Sequence, residues 1–422
     1  MSDPVRPGAT AAALARQPAF WIVLALLAAG AIRIGQITTR FLATFPIATI
    51  TAIALFALLA VPFWLFVSEL DFLEREPAGL RVVAFAWGGL VATTVSIPGS
   101  TALENLIAKL GSPHLAADWG AALAGPTVEE IAKTLGVVAI VLIARAQVNS
   151  VLDGVVYGAL VGLGFQIVED VVFAIGAVAL AGEGDQVQPV ITTFLVRGFL
   201  AGVWSHTLFG ALAGAGIGYL VVTPDRGRGH RVAMAGCAFF GAWASHVLWN
   251  SPLLRDGLGN GALALLAVLV VKGLPPLLLI LWLVRRAHDQ EAAYYVAKLA
   301  TLRDPALITD GELRVLGSGS RRAAARRHAA ASVGRRGRAA VRRLQRAQAR
   351  LAVELSRAPA EPTEDTAIRH RAEVRTHRAA LESLGHPEAV EGVRSWRHTV
   401  STVGTTAVAL AVLWVALSAL SG

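Results

Sequence analysis

Residues 125–145 read GPTVEEIAKTLGVVAIVLIAR. The stretch is apolar for most of its length, and a helix needs about 20 such residues to cross a bilayer. Within it lie Glu129, Glu130 and Lys133. An ionisable side chain at the bilayer centre costs roughly 3 kcal/mol or more and marks a functional site by default. The stretch therefore predicts a transmembrane helix that carries part of a buried polar site.

The composition of the whole chain agrees with a membrane location. Of its 422 residues, 55% are hydrophobic and 16% are charged, whereas soluble proteins carry about 25% charged residues. The mean hydropathy is +0.58. The single cysteine, Cys237, excludes a disulfide framework and a cysteine-based zinc site. We interpret Cys237 as a small buried hydrophobic residue.

The apolar runs predict an all-α polytopic membrane protein with about eight transmembrane helices in its main bundle. The runs lie at 19–36, 43–67, 80–100, 116–144, 152–181, 190–222, 231–250 and 260–284. A further run near 399–420 predicts one C-terminal transmembrane helix. The predicted domains are a cytoplasmic N-terminal segment (1–18), the transmembrane bundle (19–284), a basic helical cytoplasmic tail (285–397) and the C-terminal helix (398–422). The first run lacks a small-residue cleavage site and is interpreted as a retained span.

The distribution of basic residues predicts the orientation in the cell membrane. With the N-terminus in the cytoplasm, the inside segments hold eight Lys and Arg residues and the outside loops hold four. Basic residues are enriched in cytoplasmic loops. Eight crossings return the chain to the cytoplasm at Arg285, so we expect both the N-terminus and the basic tail to be cytoplasmic.

The tail, 285–397, has a composition of its own. It holds 23 Lys or Arg and 13 Asp or Glu, so the positive charge of the chain resides there. Its Ala- and Arg-rich stretches favour helices, and we expect them to lie on anionic lipid headgroups. A solvated helical hairpin is the alternative, and nucleic-acid binding is not expected. Residues 358–366 are interpreted as a flexible break.

Four consecutive predicted spans carry the intramembrane polar residues, which favours one shared site over scattered structural groups. The predicted catalytic residues are Glu129, Glu130, Glu169, His206, His246 and Asn250, and the supporting residues are Lys133, Phe165 and Arg197.

These residue types suit the activation of water. A carboxylate can take a proton from water, an imidazole can position that water or bind a metal, and an amide can donate to an oxyanion. Lys133 lies four residues after Glu129, so one division pairs these two and leaves Glu130 to face the catalytic water. The reverse assignment stays open, because adjacent residues differ by about 100° around a helix.

The order of the motifs resembles a known family. The chain has E-E-x-x-K at 129–133, F-x-x-x-E at 165–169, a mid-span histidine at 206 and H-x-x-x-N at 246–250. Each motif alone is weak, but all four in order, each in its own apolar span, resemble the PrsW family of intramembrane proteases. That family is related to the CAAX prenyl proteases, which are glutamate-dependent membrane enzymes. The resemblance covers roughly residues 80–285 and leaves the tail and the last span unexplained.

The resemblance implies hydrolysis of a peptide bond within or beside the membrane span of a membrane-protein substrate. It assigns the paired glutamates to Glu129 and Glu130, and the two histidines to His206 and His246. Glu169 stands where related enzymes often carry a histidine. If zinc is bound, His206, His246 and Glu130 are its expected ligands, with water as the fourth. The chain has no H-E-x-x-H motif, which favours glutamate catalysis without metal.

Structural roles remain open for the same residues. Glu129 and Lys133 could form a structural ion pair, Glu169 could hold Arg197, and each histidine could bond between helices. Asp153 and Asp170 are interpreted as structural.

Two other classes of protein also fit the polar residues. A proton-coupled transporter or channel would use the glutamates and histidines as a relay, but it predicts inverted repeats that the sequence does not display. A non-catalytic membrane scaffold would tolerate replacement of the polar residues.

Overall fold

The computed structural model describes residues 15–70, 76–200, 205–253, 267–356 and 364–392. All regular elements in these ranges are helices, as the predicted all-α class requires. The predicted C-terminal transmembrane helix, 398–422, lies outside the described residues. The chain divides into two compact units, and the boundary lies between Val284 and Arg285.

Twelve helices are numbered here in chain order. They are α1 (Pro18–Thr44), α2 (Pro46–Leu70), α3 (Ala78–Leu110), α4 (Ala121–Ala144), α5 (Val151–Ala181), α6 (Gln188–Thr193), α7 (His206–Val222), α8 (Arg228–Asn250), α9 (Leu274–Ala300), α10 (Asp310–Leu316), α11 (Gly319–Ser356) and α12 (Glu364–Glu382). Short π-helical segments interrupt α3 at Trp87–Ala92, precede α4 at Ala116–Gly120, follow α6 at Phe194–Leu200 and precede α9 at Leu269–Gly273.

Five of the described helices are long and apolar enough to cross a membrane, namely α1, α2, α3, α5 and α8. Helix α4 has 24 residues but carries three ionisable side chains. Helix α7 is apolar but has only 17 residues. The chain is therefore a multi-pass membrane protein by these criteria, and the count of eight spans stays a prediction.

Glycines allow α5 and α7 to approach each other closely. A Cβ atom on Gly158 would overlap the carbonyl oxygen of Gly210, and one on Gly162 would overlap that of His206. Small residues at such positions let membrane helices pack backbone to backbone. This contact fixes the start of α7, and with it His206, against the middle of α5.

Helix α4 is anchored to α3 by the indole of Trp87. Its Nε1–H donates to the carbonyl oxygen of Ala132 over 3.0 Å, and a Cβ on Gly136 would collide with the same indole. The contact turns one face of α4 toward α5, α7 and α8. That face carries Glu129, Glu130 and Lys133.

The second unit has an apolar core of its own. Buried side chains from α9 to α12 form it, among them Leu299, Leu307, Val341, Leu344 and Leu381. Helix α11 is kinked at Val333 and at Gly334, whose φ of +75° favours glycine. The described part of the tail is thus a folded helical unit with its own core. The predicted break at 358–366 overlaps residues outside the described ranges and the start of α12.

Cys237 is exposed on α8. The prediction that it is buried was therefore wrong, because an apolar stretch of sequence does not fix which face of its helix is turned inward.

Candidate active site

Helix α4 buries all three of its ionisable residues. Glu129, Glu130 and Lys133 are 7%, 0% and 1% exposed. The Nζ atom of Lys133 lies 2.5 Å from Oε1 of Glu130, so the ion pair joins residues three apart. The expected pairing of Lys133 with Glu129 was wrong, and which of the two glutamates faces the catalytic water stays a prediction. Positions three and four apart lie on the same helix face, which is why the spacing alone left both pairings open.

His206, the first residue of α7, is held at both ring nitrogens. Its Nδ1 lies 3.0 Å from Nζ of Lys133, and its Nε2 lies 2.9 Å from Oε2 of Glu169. An ammonium group only donates hydrogen bonds, so Nδ1 is the acceptor. The ring therefore carries its proton on Nε2 and donates it to Glu169. The network fixes both the tautomer and the ring plane of His206.

Glu169 also binds Arg197, which comes from the π-helical segment after α6. Nη2 of Arg197 lies 2.7 Å from Oε2 of Glu169, and Nε lies 2.9 Å from Oδ1 of Asp170. The guanidinium stacks on Phe173, 3.8 Å from the ring centroid. The structure thus brings together the predicted pair of Glu169 and Arg197, with Asp170 as a second anchor.

Phe165 shapes the apolar wall beside the charged groups. Its ring centroid lies 4.9 Å from that of His206 and 4.9 Å from Nζ of Lys133. An aromatic face toward an ammonium group is attractive. Phe165 therefore packs against the site without offering a reactive group.

His246 on α8 is oriented by Glu130 and Asn250. Its Nδ1 lies 2.8 Å from Oε1 of Glu130, and its Nε2 lies 3.3 Å from Nδ2 of Asn250. An ionised carboxylate only accepts, so Nδ1 carries the proton and Nε2 keeps a lone pair. The amide of Asn250 donates to this lone pair, and Oε2 of Glu129 lies 3.8 Å from the same nitrogen.

The side chain of Glu129 ends between the two imidazoles. Its Oε2 lies 3.8 Å from Nδ1 of His206 and 3.8 Å from Nε2 of His246. Among the described residues, neither this atom nor Oε2 of Glu130 has a hydrogen-bond partner. A buried polar atom without a partner is rare and unfavourable. The position is suited to a water molecule or a cation.

The geometry permits a metal ion at Glu129, His206 and His246. One ligand atom from each lies within 4.8 Å of the others. Tetrahedral zinc with bonds of about 2.1 Å separates its ligand atoms by roughly 3.4 Å, so the observed 3.8 Å separations need little adjustment. The structure places Glu129 in this trio, where the expected zinc ligands included Glu130. Glu130 is instead engaged by Lys133 and His246.

The charges of the cluster also suit a divalent cation. Two cationic side chains, Lys133 and Arg197, face four carboxylates, those of Glu129, Glu130, Glu169 and Asp170. With neutral histidines and ionised carboxylates the cluster has two negative charges in excess. A divalent ion would neutralise this excess in a buried site, where unpaired charge is costly.

Two contacts of the site were missed by the sequence analysis. Phe209 stacks on His246 with ring centroids 5.0 Å apart, and Nε1 of Trp243 donates to Oγ1 of Thr127 over 3.0 Å. Phe209 follows His206 by three residues on α7, so helical spacing could have placed it on the same face. No comparable signal in the sequence relates Trp243 to Thr127.

Comparison with protein families identifies the region that holds the cluster. Residues 76–281 match the model of a family described as PrsW family intramembrane metalloprotease. The matched range contains every residue of the cluster. Comparison with curated proteins and with solved structures finds no match.

Proposed function

We propose, from the premise that the chain belongs to the PrsW family of intramembrane metalloproteases, that Glu129 activates the water that hydrolyses a peptide bond. The family consists of intramembrane proteases, so the chain is a peptidase. The observation that carries the assignment of Glu129 is its buried Oε2, which lies without a partner between two imidazoles. The transporter and the scaffold are not favoured by the family match.

A water molecule beside Glu129 would find two acceptors. It could donate one hydrogen to Oε2 of Glu129 and, once the amide of Asn250 turns away from Nε2 of His246, the other hydrogen to the lone pair on that nitrogen. These atoms are 3.8 Å apart, which a water with hydrogen bonds of about 2.8 Å can bridge. Glu130 keeps Nδ1–H of His246 engaged, so the lone pair stays on Nε2.

The reaction then uses one proton twice. As the water oxygen bonds to the carbonyl carbon, Oε2 of Glu129 takes a proton from the water, and a tetrahedral oxyanion forms. The same proton passes to the amide nitrogen as the C–N bond breaks, which releases a carboxylic acid and an amine. The side-chain amide of Asn250, displaced from Nε2 of His246 by the water, has N–H groups that are suited to the oxyanion.

Lys133 and Glu169 position the remaining groups. Lys133 joins Glu130 to His206, and Glu169 joins His206 to Arg197. Neither residue needs to touch the substrate for this role. Both prevent His206 from rotating away from Glu129.

The same site could hold a divalent ion through Glu129, His206 and His246. When bound, such an ion supplies a Lewis acid that polarises a carbonyl group or activates water. Lys133 must leave Nδ1 of His206 for that lone pair to become a ligand. Oε2 of Glu130, which has no hydrogen-bond partner among the described residues, would then be available to accept a proton.

The membrane location supports a proposal for the substrate and the orientation. Five apolar helices support a multi-pass protein, and the bias of basic residues supports a cytoplasmic N-terminus and tail. A site on membrane helices fits a substrate that is itself embedded, namely the single span or juxtamembrane segment of another membrane protein.

The test is cleavage of co-reconstituted single-span membrane proteins by wild type, Glu129→Gln and Glu130→Gln, with and without a chelator. Glutamine keeps the shape of the side chain and removes the base. We expect Glu129→Gln to lower the rate about 10²–10⁴-fold, which is the usual contribution of a general base. Glu183→Gln is the matched control, because Glu183 is exposed beyond the end of α5.

The outcomes separate the assignments. Cleavage that is lost in Glu129→Gln and kept with chelator indicates glutamate catalysis without metal, whereas loss with chelator indicates that a metal takes part. If Glu129→Gln cleaves as wild type does and Glu130→Gln does not, the base is Glu130. If both variants remain fully active, the proposed mechanism fails.

A further inference from the structure

Helix α11 presents a surface of arginines that the proposed proteolysis does not use. Residues 313–353 contain twelve arginines and no Asp or Glu. After the kink at Gly334, the side chains of Arg335, Arg336, Arg338 and Arg343 are exposed. At about 100° per residue they span roughly half of the helix circumference. These four residues are called the arginine face.

The opposite side of the same helix is already occupied. Val341, Leu344 and Leu351 are fully buried in the core of the second unit. An amphipathic helix that lies in a membrane interface inserts an apolar face into the boundary of headgroups and acyl chains. The apolar face of helix α11 is already buried in the core of the second unit and cannot insert into a membrane. Any contact of its outer surface with a membrane must therefore depend on charge alone.

The arginine face also lacks compensating carboxylates. Among the described residues, no Asp or Glu forms an ion pair with Arg335, Arg336, Arg338 or Arg343. Elsewhere on α11 such pairs occur, because Arg350 binds Glu373 and Arg321 lies 3.7 Å from Glu391. The unit therefore neutralises some of its arginines and leaves this group free to attract an external anion.

We propose that the arginine face docks on anionic lipid headgroups through electrostatic contact without insertion. The chain is a multi-pass membrane protein, so the linked tail meets a membrane at high effective concentration. Nucleic acid is the less favoured anion, because residues 319–356 contain no Phe, Tyr or Trp on which bases could stack. The proposal does not rest on the proteolytic activity, so a chain without that activity would still be expected to dock.

The test uses the full chain in nanodiscs of phosphatidylcholine, alone or mixed with phosphatidylglycerol. A spin label is attached at Ala339→Cys, an exposed position on the outer side of α11, after Cys237→Ala removes the native thiol. Relaxation by a nickel-chelating lipid reports proximity to the headgroups, and relaxation by oxygen reports entry into the acyl chains. We expect strong relaxation by nickel only with phosphatidylglycerol, reversed at high salt, and little relaxation by oxygen.

Charge variants test whether this particular surface is responsible. Arg338→Gln with Arg343→Gln should abolish the nickel effect. Arg369→Gln with Arg371→Gln is the matched control, since it also removes two exposed arginines of the second unit, from α12. That control should retain the effect.

Several results would overturn the proposal. They are equal relaxation by nickel in both lipid compositions, no effect of salt on the wild-type chain, and a loss of the nickel effect in the control pair as large as that in the pair at Arg338 and Arg343. Strong relaxation by oxygen would replace surface docking with insertion. Immobilisation of the label by an RNA oligonucleotide, with no response to phosphatidylglycerol, would assign the surface to nucleic acid instead.

Discussion

Two buried glutamates, one in each unit, differ in how their oxygens are satisfied. Glu312 in the second unit is 1% exposed and Glu129 is 7% exposed. Oε2 of Glu312 accepts from Nη2 of Arg378 over 2.5 Å and from Nε2 of Gln348 over 2.9 Å. Its Oε1 accepts from Nη1 of Arg378 and from the backbone N–H of Ala389. Oε2 of Glu129 has no such partner among the described residues.

The difference separates a structural carboxylate from one prepared for chemistry. A buried polar network whose members are all satisfied fixes the fold around it. A buried oxygen without a partner destabilises the fold unless a water, an ion or a substrate supplies the missing contact. Glu312 ties together α10, α11 and α12, whereas Glu129 faces the lone pair of His246. The comparison predicts opposite consequences for stability when each carboxylate is removed.

The largest expected effect on stability is that of Glu312→Ala. This change leaves Arg378 buried without its carboxylate, and breaking a buried ion pair costs about 3–5 kcal/mol. Hydrogen exchange of peptides from α10 and α11 in the full chain would measure the fall in the free energy of opening. The exposed Glu382→Ala is the control in the same unit. A loss as small as that of the control would show that the network around Glu312 is not structural.

Lys133→Met should change metal affinity rather than stability alone. The methionine removes one positive charge and frees Nδ1 of His206 for coordination. We expect Zn²⁺ or Co²⁺ to bind about tenfold more tightly, a gain of roughly 1.4 kcal/mol. Calorimetry and the absorption spectrum of bound Co²⁺ would measure it, with His246→Ala as the variant that loses binding. An unchanged affinity would mean that Lys133 does not compete with the ion.

Glu129→Gln should leave the first unit as stable as wild type or stabilise it by about 1 kcal/mol. The change removes a buried charge whose Oε2 is not hydrogen-bonded, so the fold loses little and regains part of the desolvation cost. Thermal unfolding of the full chain in detergent, followed by loss of helical signal, would measure it. A drop as large as that expected for Glu312→Ala would contradict the contrast between the two glutamates.

Most helices of the first unit could be predicted, because long apolar runs in the sequence indicate them. The runs predicted at 152–181 and 231–250 correspond to α5 and α8. The motifs also identified residues that the structure brings together, such as His206, Glu169 and Arg197. The partner of Lys133 was not predictable, since helical spacing permits Glu129 and Glu130 equally.

The packed core of the second unit could not be predicted from the sequence, for a different reason. Much of it is alanine, including Ala325, Ala329 and Ala347, which are fully buried. Alanine is a strong helix former whether it is buried or exposed, so the buried alanines cannot be told apart from the exposed alanines of the same stretch by residue type. Its few buried leucines and valines come from helices that are far apart in sequence. The sequence therefore indicated helices in the tail but not that they pack into a folded unit.

A further expected effect, which does not appear at neutral pH, is a dependence of the second unit on pH through His288. Burial, followed by the neighbouring Arg322, lowers the pKa of His288 to about 4. Its Nε2 lies 2.8 Å from Nη2 of Arg322 and accepts that hydrogen bond only while the ring nitrogen is unprotonated. Since the pKa in the unfolded chain is about 6.5, the folded unit binds protons less readily than the unfolded one. Its contribution to stability is complete above about pH 6.5 and declines as the pH falls toward 4.

Hydrogen exchange of α11 between pH 7 and pH 4, corrected for the intrinsic exchange rate, should therefore show falling protection. His288→Gln retains an acceptor that does not titrate and should flatten this dependence. His377→Gln is the control, because His377 lies in the same unit and approaches Glu373 instead of an arginine. If His288→Gln kept the full pH dependence, the loss would have to come from other groups. The contact between His288 and Arg322 would then act as packing, in contrast to the ionic network around Glu312.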